Sequence, residues 1–138
     1  MKSRVICDTG PLVALLNRRD HAHAWVVQQL RDIQPPMLTC ESVLAEASYL
    51  TRALPGARVA LIEMVGEGFL GVGMAVTDHH GALLAMIRRY ANVPMSLADA
   101  CLVRLAELNP QSPVLTLDSD FSVYRKNGRQ VIQLLKPP

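Results

Sequence analysis

The sequence contains no closely spaced cysteine pair and no long apolar segment. Cys7, Cys40 and Cys101 lie far apart, and none belongs to a Cys-x-x-Cys motif. This spacing argues against a zinc site or a disulfide framework and predicts buried thiols in a reducing compartment. Asp8 interrupts the first apolar run too early for a signal peptide, and no stretch is long enough to cross a membrane. We therefore expect a cytoplasmic protein that does not associate with membranes.

Several catalytic and nucleotide-binding motifs are also missing. There is no Gly-x-Ser-x-Gly nucleophile elbow and no phosphate-cradling P-loop. Residues 66–71 match Gly-x-Gly-x-x-Gly, but they follow a predicted helix and open a predicted strand, the reverse of a dinucleotide site. His21-x-His23 and His79–His80 lack the i, i+4 spacing of a helical zinc site. Serine-nucleophile, nucleotide-binding and zinc chemistry are therefore disfavoured.

The composition is that of a folded domain. The chain has 138 residues, of which 50% are hydrophobic and only 19% are charged. This balance disfavours disorder and allows a sizeable core. No linker, low-complexity tract or internal repeat divides the sequence, so we expect a single domain over residues 1–138.

Hydrophobic periodicity predicts strands that alternate with helices. The predicted strands cover residues 5–7, 37–39, 70–76, 114–117 and 131–135. The predicted helices cover about 11–16, 21–32, 40–54, 57–65, 78–90 and 97–108, with Pro11 at the first position of the first helix and Thr39, Asp78 and Ser96 as N-caps. Alternation of this kind predicts a three-layer α/β/α fold around a mainly parallel sheet.

Two aspartates follow strands directly. Asp8 ends the run Val5–Ile6–Cys7, and Asp118 follows the strand at 114–117. The carboxyl ends of parallel strands meet at one edge of a sheet, which is where ligands bind in open α/β folds. We therefore expect Asp8 and Asp118 to face a common site.

Two further acids are predicted on apolar helix faces. Glu46 falls on the stripe formed by Val43, Ala47 and Leu50, where a surface glutamate at the edge of the stripe is the alternative. Asp99 precedes apolar residues at i+3 and i+4, although Ser96-x-x-Asp99 also approximates a capping box that would satisfy the helix end by itself. An inward-facing carboxylate is costly unless it has a partner. Both residues are therefore candidates for the same site.

Four converging carboxylates require a cation. At about 5 Å and an effective dielectric of about 20, each charged pair costs about 3 kcal/mol. Carboxylate oxygens suit magnesium or manganese better than zinc, and such an ion can activate water against a phosphodiester. Setting these four acids aside leaves 8 acidic against 14 basic residues, a balance that suits a polyanionic substrate or an ordinary mixed surface.

The chain resembles PIN-domain ribonucleases of the VapC type, the toxins of bacterial toxin–antitoxin pairs. Residues 5–16 resemble the opening strand and helix of that family. The chain matches the four acidic positions of the family in order. They are Asp8 in the opening segment, Glu46 within 42–50, Asp99 within 96–100 and Asp118 within 116–121. The resemblance covers almost the whole chain, and four motifs in order are a specific signal.

This resemblance implies a PIN-like sandwich with a sheet of four or five strands and Mg²⁺- or Mn²⁺-dependent cleavage of RNA. It implies that Asp8, Asp99 and Asp118 bind the metal while Glu46 positions or deprotonates water. It further implies a homodimer and a small VapB-like antitoxin that covers the site. The same resemblance suggests phosphate contacts for several basic residues, for which solvated loop charge is an equal alternative: Arg18, Arg19, Arg125, Lys126 and Arg129.

Alternatives to a ribonuclease remain at this point. One is a non-catalytic RNA-binding or protein-interaction module on the same fold, which the complete acidic set disfavours. A phosphoryl-accepting receiver domain is disfavoured because Asp8 has no acidic neighbour. Two local roles also stay open: Thr9 could hydrogen-bond beside a metal or cap the first helix, and Asp120 could join the site or shape the turn, which we favour.

Overall fold

The computed structural model describes residues 3–138, which form a parallel sheet with six helices and a separate hairpin. The strands of the sheet are β1 (Ile6–Cys7), β2 (Met37–Thr39), β3 (Leu70–Val72), β4 (Val114–Leu115) and β7 (Leu134–Leu135). The helices are α1 (Thr9–Leu16), α2 (His23–Leu30), α3 (Glu41–Leu50), α4 (Ala57–Gly66), α5 (Val76–Arg89) and α6 (Leu97–Leu108). The hairpin consists of β5 (Arg125–Lys126) and β6 (Gln130–Val131).

The sheet has the order β3-β2-β1-β4-β7, and all of its pairings are parallel. Strand β1 lies in the centre, between β2 and β4, and its residues Ile6 and Cys7 are fully buried. Strands that are covered on both faces have continuous apolar sequences, which explains why β1 and β4 could be predicted from the sequence. The predicted α/β/α fold with a parallel sheet of four or five strands is confirmed.

The position of the site follows from the register between β1 and β4. Cys7 pairs with Leu115 in parallel orientation, and the N–H of Asp8 donates to the carbonyl of Leu115 at 3.0 Å. The chain therefore leaves both strands at the same edge of the sheet. Helix α6 packs on this part of the sheet through a buried face that includes Cys101 and Leu102.

The predicted last strand at 131–135 is wrong as a single element. Asn127 and Gly128 have positive φ angles of 52° and 81°, which reverse the chain and form the antiparallel hairpin of β5 and β6. Val131 belongs to this hairpin and is 69% exposed. Only Leu134–Leu135 joins the parallel sheet, beside β4. The run at 131–135 is nearly all apolar, but its first residue pairs with β5 whereas its last two residues pair with β4.

Three predicted helix starts are also corrected. The Asp8 side chain caps α1, so Pro11 is the third helical residue, where a backbone N–H would still lack a helical partner. The N-cap of α3 is Cys40, because the Thr39 hydroxyl instead donates to the carbonyl of Cys7 at 2.9 Å. The helical segment α5 begins at Val76 and is kinked at His79 (φ −130°, ψ 17°), so Asp78 lies in a short first turn before the kink.

Ser96 is the N-cap of α6, as predicted. Other element ends differ by a few residues: α3 stops at Leu50 and β3 at Val72, both earlier than predicted. Among residues 3–138, none of the helices combines the length and apolar character that crossing a membrane requires.

Candidate active site

Asp8 lies at the buried end of the site. Its side chain is only 7% exposed, and both carboxylate oxygens accept hydrogen bonds. The Thr9 N–H donates to Oδ1 at 2.7 Å, which caps α1, and the Thr116 hydroxyl donates to Oδ2 at 2.7 Å. Asp8 therefore has a fixed orientation that is set by the start of α1 and by the exit of β4.

Thr116 connects two of the four acids. Its hydroxyl donates to Asp8 and accepts a hydrogen bond from the Asp118 N–H at 2.9 Å. Sequence reasoning missed this residue. Alternation along an extended strand puts Thr116 and Asp118 on the same side, and that pattern was the available signal. A buried hydroxyl between two acids thus couples the exits of β1 and β4.

Asp118 itself is exposed. Its Oδ1 accepts a hydrogen bond from the Asp120 N–H at 2.9 Å, which caps the short 3₁₀ helix Ser119–Ser122. The Asp120 carbonyl accepts from the Val123 N–H, so Asp120 shapes this turn and does not line the acidic pocket. The two aspartates of this segment therefore have different roles.

Asp99 is held from two directions. Its Oδ2 accepts from the Ser96 N–H at 3.0 Å and the Ser96 hydroxyl accepts from the Asp99 N–H at 3.0 Å, which completes the capping box. The hydroxyl of Tyr124 also donates to Oδ2, at 3.1 Å. Capping and site membership coexist, as the helical phase of Asp99 had indicated.

Tyr124 was not recognised from the sequence. Its ring is fully buried and packs edge-on against Tyr90 and Phe121, with both centroid distances at 5.3 Å. Burial, together with the charge of Asp99, raises the pKa of the Tyr124 hydroxyl. The hydroxyl therefore keeps its proton and remains a donor to the carboxylate.

Glu46 differs from the prediction. Val43 and Ala47 are buried as expected, but Glu46 is exposed and Leu50 is 53% exposed. The apolar stripe of α3 is narrower than its sequence suggested, so Glu46 faces solvent rather than the core. Its side chain nevertheless lines the same pocket as the three aspartates.

The four acids line one cavity of about 560 Å³ at the carboxyl edge of the sheet. We call this cavity the acidic pocket. Its remaining walls come from backbone and small side chains near the starts of α1 and α6, the end of α3 and the exit of β4: Thr9, Gly10, Leu50, Ser96, Ala98, Leu117 and Ser119. The predicted convergence of the acids on one sheet edge is thus present.

The charge on Asp8 is costly in this setting. Burial raises its pKa from the ordinary value of 3.8 to about 6, and the charges of Asp99 and Asp118 also raise the pKa. The hydrogen bonds from Thr116 and Thr9 act in the opposite direction. Burial exceeds both hydrogen bonds, so a cation beside Asp8 would relieve a real electrostatic cost.

The donor atoms suit a hard divalent cation, although they do not form a closed ligand set. Among residues 3–138, no three or more His, Cys, Asp or Glu side chains are arranged to hold a metal ion as they stand. The pocket offers carboxylate and hydroxyl oxygens, which magnesium and manganese prefer. The Thr9 hydroxyl is buried beside Asp8 and has no hydrogen-bond partner among the described residues. Thr9 does not cap α1 with its side chain, because the Asp8 carboxylate is the N-cap.

The five basic candidates do not line the acidic pocket. Arg18 and Arg19 are exposed in the turn between α1 and α2. The Arg125 guanidinium donates to the carbonyls of residues 122–124, and the Lys126 amine donates to the carbonyl of Pro110. Arg125 and Lys126 thus stabilise the hairpin region locally.

The sequence matches the family model of the PIN domain over residues 5–127. In fold, the chain is similar to the crystal structure of VapC20 from Mycobacterium tuberculosis, which is described as a sarcin-ricin loop cleaving toxin. The TM-score is 0.76 at 21% sequence identity, and the match covers 86% of this chain and 93% of that one. No curated protein sequence matches the chain. Since the family model spans most of the sequence and all four acids, the chain belongs to the PIN domain family.

Proposed function

We propose that this chain is a metal-dependent endoribonuclease that hydrolyses RNA phosphodiester bonds, and that it is the toxin of a VapBC-type pair. The observation that carries the proposal is that four acids from four separate segments line one pocket. Membership of the PIN domain family supports nuclease chemistry. The likeness in fold to VapC20, a toxin described as cleaving the sarcin-ricin loop, supports the toxin type and an RNA substrate.

Magnesium or manganese is the cofactor in this proposal, with Asp8, Asp99 and Asp118 as ligands. The oxygen donors of the pocket and the cost of the buried Asp8 charge support this choice. The unpartnered Thr9 hydroxyl supports it as well. When bound, such an ion polarises the phosphate and lowers the pKa of a water molecule.

The protein groups then have separate tasks. Glu46, on the exposed side of the pocket, accepts hydrogen bonds from the incoming water and takes its proton. Thr116 and Tyr124 are positioning residues, because they hold Asp8 and Asp99 without facing solvent themselves. Asp8 must be ionised to ligate a metal, and burial raises its pKa to about 6 in the metal-free protein, so we expect metal affinity to fall as the pH decreases below about 6.

The biological part of the proposal is a cytoplasmic toxin that forms a homodimer and is silenced by a small VapB-like antitoxin. Expression of the wild-type chain should arrest growth, whereas Asp8→Asn should not. Co-expression of a small reading frame located immediately upstream should restore growth and yield a stable complex. Arrest by both forms of the toxin would contradict this assignment.

Cleavage of RNA by the purified protein tests the biochemical part. Ribosomal, transfer and messenger RNA are each incubated with Mg²⁺, with Mn²⁺ or with excess chelator, and the new 5′ ends are mapped. We expect discrete cuts with either metal, no cuts with chelator, and none with Asp8→Asn or Asp99→Asn. RNA binding without cleavage in any divalent metal would overturn the proposal in favour of a non-catalytic RNA-binding module.

A further inference from the structure

A second cavity, of about 450 Å³, adjoins the acidic pocket. We call it the tryptophan pocket, since Trp25 forms part of its wall together with Val13 and Pro137. The two cavities share Gly10, Leu50 and Leu117. An RNA strand in the acidic pocket can therefore place a neighbouring nucleotide at the tryptophan pocket, which lies on the other side of these three residues.

Gly10 and Leu117 form part of the wall that the two cavities share. A Cβ atom at Gly10 would lie 3.4 Å from the Cβ atom of Leu117. This is an ordinary van der Waals distance, so Gly10 and Leu117 lie side by side in the wall that the two cavities share.

The lining of the tryptophan pocket suits a nucleobase. Trp25 is half-buried, and its flat surface is accompanied by the apolar side chains of Val13, Leu50 and Leu117. Flat apolar surfaces bind bases by stacking, and base–aromatic stacking tolerates any base. The polar edge of a base can reach Asp20 and His21, which also line this cavity.

Charge around the pocket distinguishes a nucleotide from a neutral apolar ligand. Arg18 and Arg19 directly precede Asp20 and are exposed in the same turn. Cations next to an apolar slot attract a base that carries a phosphate, whereas an uncharged apolar peptide gains nothing from them. These two cations do not line the cavity themselves, but they outnumber the single carboxylate of Asp20 in its wall, and this balance favours RNA over a hydrophobic protein segment.

The pocket is also preformed. The His23 ring lies 2.8 Å, through Nδ1, from the carbonyl of Ala14, which fixes α2 against α1. Ala14, Ala22 and Val26 form a small core of their own between these helices. The Asp20 side chain accepts from the Ala22 N–H at 2.9 Å and so orders the turn. Little ordering is then needed when a ligand binds.

We infer that the tryptophan pocket binds one nucleobase adjacent to the cleaved bond and thereby selects the cleavage position. The inference rests on the proposed function, because it concerns the RNA that the acidic pocket would cut. Binding of the neighbouring base orients the strand, so that the phosphate next to it enters the acidic pocket. The base preference follows from the groups at the rim, Asp20 and His21.

Trp25 is the only tryptophan in the chain, so its fluorescence reports on the pocket without any change to the pocket. The Asp8→Asn variant binds but does not cut a short oligoribonucleotide that contains a mapped cleavage site. We expect this RNA to quench the emission, and an abasic substitution at one position next to the cleaved bond to abolish the quenching. Binding without quenching, or quenching that no abasic position abolishes, would overturn the inference.

Cleavage mapping of pocket variants provides the second test. Trp25→Ala should weaken the preference at one flanking nucleotide on the order of tenfold, whereas Trp25→Phe keeps an aromatic surface and most of the preference. Tyr49→Ala is the matched control, because Tyr49 is a 60% exposed aromatic residue outside the cavity. An unchanged cleavage pattern in a folded Trp25→Ala variant would contradict the inferred base site but would leave the proposed function intact. Failure of the wild-type protein to cut any RNA contradicts the proposed function instead.

Discussion

The two ends of the acidic pocket are built differently. The floor consists of Asp8 with its partners Thr9 and Thr116, and the rim consists of Glu46 and Asp118. Both oxygens of Asp8 are held by hydrogen bonds, and its carboxylate is almost fully buried. The rim acids are exposed, whereas burial raises the pKa of Asp8 to about 6. A fixed, costly charge at Asp8 suits a permanent cation ligand, whereas the exposed carboxylate of Glu46, which is not among the proposed ligands, suits exchange with water.

The largest expected effect comes from comparing the floor with the rim in cleavage assays. Asp8→Asn removes a charge on which cation binding depends, and we expect cleavage to fall by roughly a thousandfold or more. Glu46→Gln removes a general base and should reduce kcat by about a hundredfold with little effect on KM. Measured kcat values for the wild type and both variants give the two losses of activity, which can then be compared. A larger loss for Glu46→Gln than for Asp8→Asn would reverse our assignment of the two roles.

A smaller effect is expected from Thr116, which supports the floor without contacting RNA. Thr116→Val keeps the shape of the side chain but removes the hydroxyl shared by Asp8 and Asp118, and we expect a tenfold to hundredfold loss of activity, roughly that of other outer-sphere partners. Thr39→Val is the matched control, because this equally buried hydroxyl donates only to the carbonyl of Cys7. Equal losses in the two variants would mean that Thr116 acts through stability alone.

The smallest effect concerns the stability of the metal-free protein. Because its pKa is raised to about 6, Asp8 binds a proton more tightly in the folded than in the unfolded state. The contribution of Asp8 to the free energy of unfolding should therefore decrease as the pH rises from about 4 to about 6 and then remain level. Asp8→Asn lacks this penalty but loses a charged hydrogen bond. Its free energy of unfolding at pH 7 should therefore be about 1 to 2 kcal/mol higher than that of the wild type.

Urea unfolding at several pH values in the presence of chelator measures this difference. The advantage of Asp8→Asn should vanish below about pH 4, where the wild-type carboxyl is protonated in both states. A variant that is less stable than the wild type at pH 7 would show that the hydrogen bonds of Asp8 outweigh its burial.

The sequence was informative where local patterns coincided with tertiary structure. Buried strands with no polar alternation identified β1 and β4, and the aspartates that follow them identified the site edge. The capping box at Ser96 and Asp99 could be predicted because all of its contacts lie within one helical turn. The parallel orientation of the strands followed from the alternation of strands and helices, whereas their order in the sheet was not predicted.

Other features depend on contacts that are remote in sequence. Thr116 reaches Asp8 and Tyr124 reaches Asp99 across 108 and 25 positions, so no local pattern could reveal either pair. Glu46 was assigned to a buried face because helical phase shows which side of α3 faces the core. It does not show how much of that side neighbouring elements bury. The run 131–135 was misread because a hairpin takes up its first residue.

The central claim is that the acids of the pocket serve one divalent cation, and binding of Mn²⁺ followed by electron paramagnetic resonance tests it most directly. The account predicts a single class of site in the wild-type protein, with affinity that falls as the pH decreases below about 6. Asp8→Asn should lose this site, and Glu46→Gln should retain it with modest weakening. Equal Mn²⁺ binding by the wild type and Asp8→Asn would contradict the claim.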